Sequence, residues 1–207
     1  PNCELRRAHV RRVTIERGRA TGVEVSRGGR VETLRARREV ILAASAINSP
    51  KLLMLSGIGP GAHLAETGIE VVADRSGVGA NLQDHLESYV QQACTQPVTL
   101  HRYWNLLGKA AVGLRWVLTR RGPGASNQFE SAAFIRSAPG IEYPDIQFHF
   151  LPLAVRYDGR AASGGHGFQV HVGPMRSPSR GEVRLAGPAA ETAPRIRFNY
   201  MSTPEDW

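Results

Sequence analysis

Between residues 9 and 44 the texture of the chain changes in a way that few folds allow. Segments 10–16 (VRRVTIE), 21–27 (TGVEVSR) and 31–37 (VETLRAR) are separated by Gly18 and by the pair Gly28-Gly29. Short polar-apolar segments joined by glycine turns read as an antiparallel meander with a face in water. Glu39-Val40-Ile41-Leu42-Ala43-Ala44 follows at once, and its apolar run predicts a strand covered on both faces. A wetted meander feeding a buried strand points to an α/β domain carrying an inserted hairpin, not to a sandwich.

The next stretch, SAINSPKLLMLSGIGP at 45–60, reads as an apolar helix between a Ser-Pro step and a glycine turn. A short helix is expected at 62–67, closed by Gly68, and a strand at 69–73. A glycine-led loop, 77–85, comes before a second change of texture near residue 86. Beyond it the pattern predicts one long helix over 104–121, with Leu107, Ala110, Ala111, Leu114, Val117 and Leu118 on a broad face. Arg120-Arg121-Gly122-Pro123 should end it.

Two later strands share a pattern. In 145–150 Ile146, Phe148 and Phe150 alternate with Gln147 and His149, and in 168–172 Phe168, Val170 and Val172 alternate with Gln169 and His171. If they share a sheet, one face is apolar and the other is lined with Gln and His. That second face either meets solvent or walls a polar cavity, and the pattern does not choose between them.

A chain of 207 residues can bury a sizeable core, and no stretch in it approaches the ~20 apolar residues of a membrane span. The net charge of +8 raises a nucleic-acid reading. The charge is almost all arginine spread along the chain, without a basic and aromatic stripe, so a solvated basic surface is the better reading. Cys3 and Cys94 belong to no CxxC or Cys/His cluster, which argues for reduced thiols and against a metal site. Ser202-Thr203-Pro204-Glu205-Asp206 has the composition of a helix start just before Trp207, and a strand-like pattern begins almost at the first residue. Both suggest an internal piece of a longer protein.

Gly57-Ile58-Gly59 and Gly77-Val78-Gly79 lack the third glycine of a dinucleotide fingerprint, and no GxSxG elbow is present. The longer pattern is more telling. Ser45-Ala46-x-x-Ser49-Pro50-x-Leu52-Leu53-x-x-Ser56-Gly57-Ile58-Gly59 resembles the second signature of the glucose-methanol-choline (GMC) oxidoreductases. Ala20-x-Gly22-Val23-Glu24 and Arg38-Glu39-Val40-Ile41-Leu42 precede it, and Val78-Gly79-x-Asn81-Leu82-Gln83-Asp84-His85 follows it, as in that family. Ser45 departs from the pattern, since many members have glycine there. Strings such as Gln147-Phe148-His149-Phe150-Leu151-Pro152, His166-Gly167-Phe168-Gln169 and Met175-Arg176-Ser177-Pro178-Ser179-Arg180-Gly181 resemble choline-oxidising bacterial members. The resemblance spans the chain and is weakest at 99–122 and 157–165.

The resemblance implies an FAD-dependent alcohol oxidoreductase of α/β class: 1–86 as the later part of an FAD-binding domain, and 87–207 as a substrate domain on an antiparallel sheet. It implies oxidation of choline toward glycine betaine, with hydride passing to the flavin and a histidine base taking the hydroxyl proton. Other primary alcohols are the alternative substrates. That base belongs to a later section of the family sequence, so no catalytic residue is assigned here and the stretch alone should not turn over. Cofactor contacts are implied for Val10, Ala44 and Ser45. Substrate contacts are implied for Glu87, which aligns with the glutamate directed at the trimethylammonium group, for His149 and His85, and for Trp104 as an aromatic wall. The partner is a small choline-like alcohol, with no nucleic acid; a homo-oligomer is compatible with the reading. The parent protein is expected in the cytoplasm or at the inner face of the membrane.

Overall fold

A computed structural model describes residues 3–156 and 165–207. Most of the weakly resembling stretch 157–165 therefore lies outside the described residues. The chain divides into two compact units, Pro1–Gln83 with Pro178–Trp207, and Asp84–Ser177.

The first unit opens with the expected meander. Strands β1 (His9–Glu16), β2 (Arg19–Arg27) and β3 (Arg30–Arg35) pair in sequence order, all antiparallel. Helix α1 (Ser45–Leu55) follows, and β4 (Ile58–Gly59) runs parallel to β5 (Ala73–Asp74) across helix α2 (Gly61–Glu66). Ser56 locks α1 to the meander: its Oγ donates to Leu52 O and accepts from the Val13 amide at 2.8 Å. Gly57, at φ +80°, makes the turn out of α1, and its carbonyl accepts from Val72 and Ala73. β6 (Ala80–Leu82) completes the first part of this unit.

Two expectations change here. Residues 39–43 form no strand, and Ile41 is 77% exposed. A run covered on both faces needs neighbours on both sides, and no strand of the described residues pairs with it. The expected strand over 69–73 shrinks to Ala73–Asp74, because only Ile58 and Gly59 offer it partners.

In the second unit, β7 (Ser88–Ala93), β8 (Ser131–Ile135), β9 (Ile146–Leu151) and β10 (Gly167–Pro174) build one antiparallel sheet in the order β7-β10-β9-β8. Between β7 and β8 lies helix α3 (Leu106–Thr119), whose Asn105 side chain caps the Gly108 amide at 2.7 Å. The helix ends with Arg120 in the left-handed region at φ 55°, two residues before the glycine expected to close it. Its apolar face is not a core face: none of its residues is buried, and Leu107 is 82% exposed. Periodicity defines such a stripe, but burial needs a neighbour, and none of the described residues covers it.

The chain then returns to the first unit. β11 (Gly181–Arg184) pairs with both β6 and β12 (Arg195–Arg197). Val183 of β11 joins Met54, Leu55, Leu64, Leu82 and Leu185 in a dry core. Lys51 Nζ donates to Ala190 O at 2.7 Å, and the Leu185 amide to His63 Nε2 at 3.0 Å, closing the return. The compact units therefore differ from a division at 86/87 in which everything downstream is one domain. Residues 178–207 are held to the first unit because β11 has its sheet partner and its apolar neighbours there. The expected helix start near 203 is a single 3-10 turn, Pro204–Asp206.

Candidate functional site

The register of the second unit's sheet decides what its faces carry. Tyr89, His171, His149 and Ala132 stand opposite one another on successive strands, and so do Gln91, Gln169 and Leu151. Directly paired residues share a face, so Tyr89, Gln91, Gln147, His149, Gln169 and His171 all project from one side. On the other side Phe150 and Phe168 meet at 5.4 Å between centroids. The two strands do share a sheet, and on β10 the polar face is the covered one. Along β10 the polar side chains are the more buried: Gln169 is 3% exposed and His171 8%, while Phe168, Val170 and Val172 are only partly covered.

Such burial requires that every donor and acceptor be matched. Gln91 Nε2 donates to Val155 O at 2.6 Å and to Gln169 Oε1 at 2.8 Å, and that same oxygen accepts from the Val155 amide at 2.9 Å. Gln169 Nε2 stands 2.5 Å from His171 Nε2, and His171 Nδ1 stands 2.8 Å from Glu87 Oε1. The chain of contacts thus ends on a carboxylate whose side chain is 42% exposed. Aromatic rings gather at the same place. Tyr89 stacks on His171 at 5.5 Å, and Phe129 meets His171 edge-on at 6.1 Å and His149 at 5.9 Å. Gln147 Nε2 lies 2.7 Å from His149 Nε2.

Two of the substrate residues expected from the sequence, Glu87 and His149, are thereby joined in one cluster through His171 and Phe129. His85 is not drawn in: it is exposed, its amide is held by Asp84 Oδ1 at 2.9 Å, and its ring makes no hydrogen bond among the described residues. Trp104 lies elsewhere, in a groove of ≈ 320 Å³ with Leu100, Tyr103, Val112 and Leu153. Its face is taken by the ammonium of Lys109, 4.3 Å from the ring centroid. His171 and Phe129 were not singled out from sequence. Alternation put His171 on the polar face, but its partner Glu87 is 84 residues away and no local signal connects them.

The first unit holds a cleft of ≈ 440 Å³ lined by Ala46, Ser49, Pro50 and Leu53 of α1, by residues 77–83, and by Val183. The two strings that carry the sequence resemblance are thus brought to one place. Gly79 sits at φ +75°, and a Cβ there would fall 2.2 Å from Val183 O, so this glycine serves close packing against β11. Ser45 adopts φ +69°, the region that favours glycine, at the residue where the resembling family often has one. Ala44, which precedes α1, donates its amide to Ser49 Oγ at 3.0 Å, and the Ile47 amide of the first turn donates to Ser45 Oγ at 3.4 Å. Ala44 and Ser45 come just before Ala46 in the chain but are not among the residues lining the cleft. Val10 lies on β1 opposite Val25, outside that lining. A lining of mainly small and apolar side chains suits a ligand with flat apolar surface, such as part of FAD presents.

Among the described residues, no group of three His, Cys, Asp or Glu side chains is placed to hold a metal, and no helix is long and apolar enough to cross a membrane. Cys3 and Cys94 are both free.

Residues 2–87 match the family model of the GMC oxidoreductases. Over those residues the chain is similar to that family. Over all 207 of its residues it is 61% identical to the oxygen-dependent choline dehydrogenase of Brucella ovis, of which it spans 38%. Among solved structures it is similar to a formate oxidase, with TM-score 0.87 and 25% identity over 96% of this chain and 40% of the other. It is also similar to pyridoxine 4-oxidase from Mesorbium loti, with TM-score 0.74 and 28% identity over 96% of this chain and 35% of that one.

Proposed function

We propose that the protein containing this chain is an FAD-dependent dehydrogenase that oxidises choline to betaine aldehyde, toward glycine betaine. The observation that carries the reading is the convergence of the Glu87 carboxylate with the rings of Tyr89 and Phe129 about His171. A quaternary ammonium has no N–H to donate, so it must be held by negative charge and by aromatic faces, each ring contributing roughly 0.5–2 kcal/mol. Glu87 is exposed enough to meet a ligand and anchored enough to hold its direction. His149, on the same face, stands where a polar group can orient the rest of the substrate. The 61% identity to a choline dehydrogenase supports the same substrate.

When bound, FAD supplies the acceptor for the hydride leaving the alcohol carbon. The cleft of the first unit would hold it through Ala46 and Ser49, with Ala44 and Ser45 beside them in the chain, and Val10, outside the lining, stays the expected adenine contact. No histidine of this chain is assigned as the base: His149 and His171 both have Nε2 engaged by glutamine. The test is Glu87→Gln in the flavin-loaded full-length protein, assayed with choline and with its uncharged isostere 3,3-dimethylbutan-1-ol. A selective loss on choline is expected; equal losses on the two alcohols would exclude Glu87 as the cation ligand.

A further inference from the structure

We infer that Gln169 and His171 are specificity-determining positioning residues, a hydrogen-bond relay that fixes the tautomer of one imidazole so that Glu87 presents a full, directed negative charge. The inference rests on the choline reading above and extends it to two residues that touch no substrate in that scheme.

The polarity of the relay follows from its fixed end. Gln169 Oε1 receives two donors, the Val155 backbone amide at 2.9 Å and Gln91 Nε2 at 2.8 Å. A backbone N–H can only donate, so the oxygen of the Gln169 amide must face Val155 and its nitrogen must face His171. Gln169 Nε2 is then the donor toward His171 Nε2, 2.5 Å away, and that ring nitrogen is the acceptor. An imidazole that accepts at Nε2 carries its proton on Nδ1, and Nδ1 donates to Glu87 Oε1 at 2.8 Å. Protonating the ring at Nε2 would set its N–H against the amide N–H of Gln169, two donors at contact distance. The relay therefore favours a neutral histidine next to the carboxylate.

This has a direct consequence for recognition. A charged imidazolium at 2.8 Å would compete with the ligand for Glu87 and form an internal ion pair. A neutral Nδ1–H orients the carboxylate without cancelling its charge, so the net negative charge remains for the trimethylammonium group. Burial supports the rigidity this requires: Gln169 and His171 lie in the closed part of the sheet face, Tyr89 stacks on the ring, and Glu87 reaches toward solvent.

The experiment uses the flavin-loaded full-length protein and reads one ratio, kcat/KM for choline over kcat/KM for 3,3-dimethylbutan-1-ol, in which the concentration of active enzyme cancels. His171→Leu, which removes the Nδ1 donor, should lower the ratio roughly tenfold, the scale of losing an outer partner of a ligand-binding group. His171→Asn, which returns an amide N–H near the Nδ1 position, should recover most of it. Gln169→Leu, which leaves the tautomer unfixed, should lower the ratio several-fold, and it serves as the test if His171→Leu does not fold. An unchanged ratio in His171→Leu, or in Gln169→Leu where the former does not fold, overturns the inference. Equal losses in His171→Leu and His171→Asn also overturn it, by making the role one of packing. Glu87→Gln run alongside separates the two levels. If it abolishes the preference while the relay variants keep it, the relay fails and the choline reading stands. If it leaves the preference intact, the cation site itself is wrong and the relay falls with it.

Discussion

The two units solve the problem of an interior in opposite ways. In the first, Met54 and Leu64 are fully buried among Leu82, Val183 and Leu185, and the helix, sheet and returning strand are joined by surface that only has to be apolar and well shaped. In the second, the most buried positions of the central strand are Gln169 and His171, and its apolar side chains are the ones left partly open. A dry core tolerates most apolar side chains of suitable volume. A buried polar face does not, because each donor or acceptor left unmatched costs its full desolvation. The first unit is therefore held by apolar packing, and the second spends part of its packing on a matched polar network.

The comparison can be broken most forcefully at Leu64. Leu64→Ala should cost about 3 kcal/mol by opening a cavity in the first unit's core, read as a shift of the urea midpoint. A loss below about 1 kcal/mol would mean that this core is loose and the contrast unfounded. Gln169→Leu keeps a similar volume, so a volume-driven interior would hardly notice it. We expect a loss of about 2 kcal/mol, because the Val155 amide loses its acceptor and His171 its donor. A neutral result would show that the second interior obeys the rule of the first. Ser45→Gly should act with the opposite sign, stabilising the first unit by roughly 0.5–1 kcal/mol, since φ +69° strains any residue with a Cβ. An unchanged melting temperature would show that the Ser45 Oγ contact to the Ile47 amide at 3.4 Å offsets the strain.

The smallest effect concerns acid. Asp145 accepts from the Ser137 hydroxyl at 2.5 Å and from the Ser137 amide at 2.8 Å, and these bonds hold its carboxyl below the ordinary value of 3.8. A depressed folded-state pKa means that the contribution is fully present above the unfolded value and is lost as pH falls through the lower folded one. Because Asp145 is only partly covered and solvent screens its charge, the effect is small. Ser137→Ala should leave the melting temperature nearly unchanged at pH 2 and lower it slightly at neutral pH. The reverse pattern would show that the clamp carries no charge dependence.

Much of this was legible in the residues. Glycine turns marked the meander, alternation separated Gln and His from Phe and Val on β9 and β10, and the long signature at 45–59 carried the family. Local spacing could not show which strand lies beside which. That is why 40–44 read as buried, why the apolar stripe of α3 read as a core face, and why His171 was not linked to Glu87.

By itself, then, the sequence determined the class of element at most positions and the family, because turn chemistry, periodicity and a spaced motif are local properties of a chain. The tertiary structure alone decided that residues 178–207 return to the first unit, that two family strings line one cleft, and that the polar face of β10 is the buried one. Those outcomes depend on pairing between residues distant in the chain. A side chain's burial and its hydrogen-bond partner are set by what the fold lays against it, and no local pattern records that.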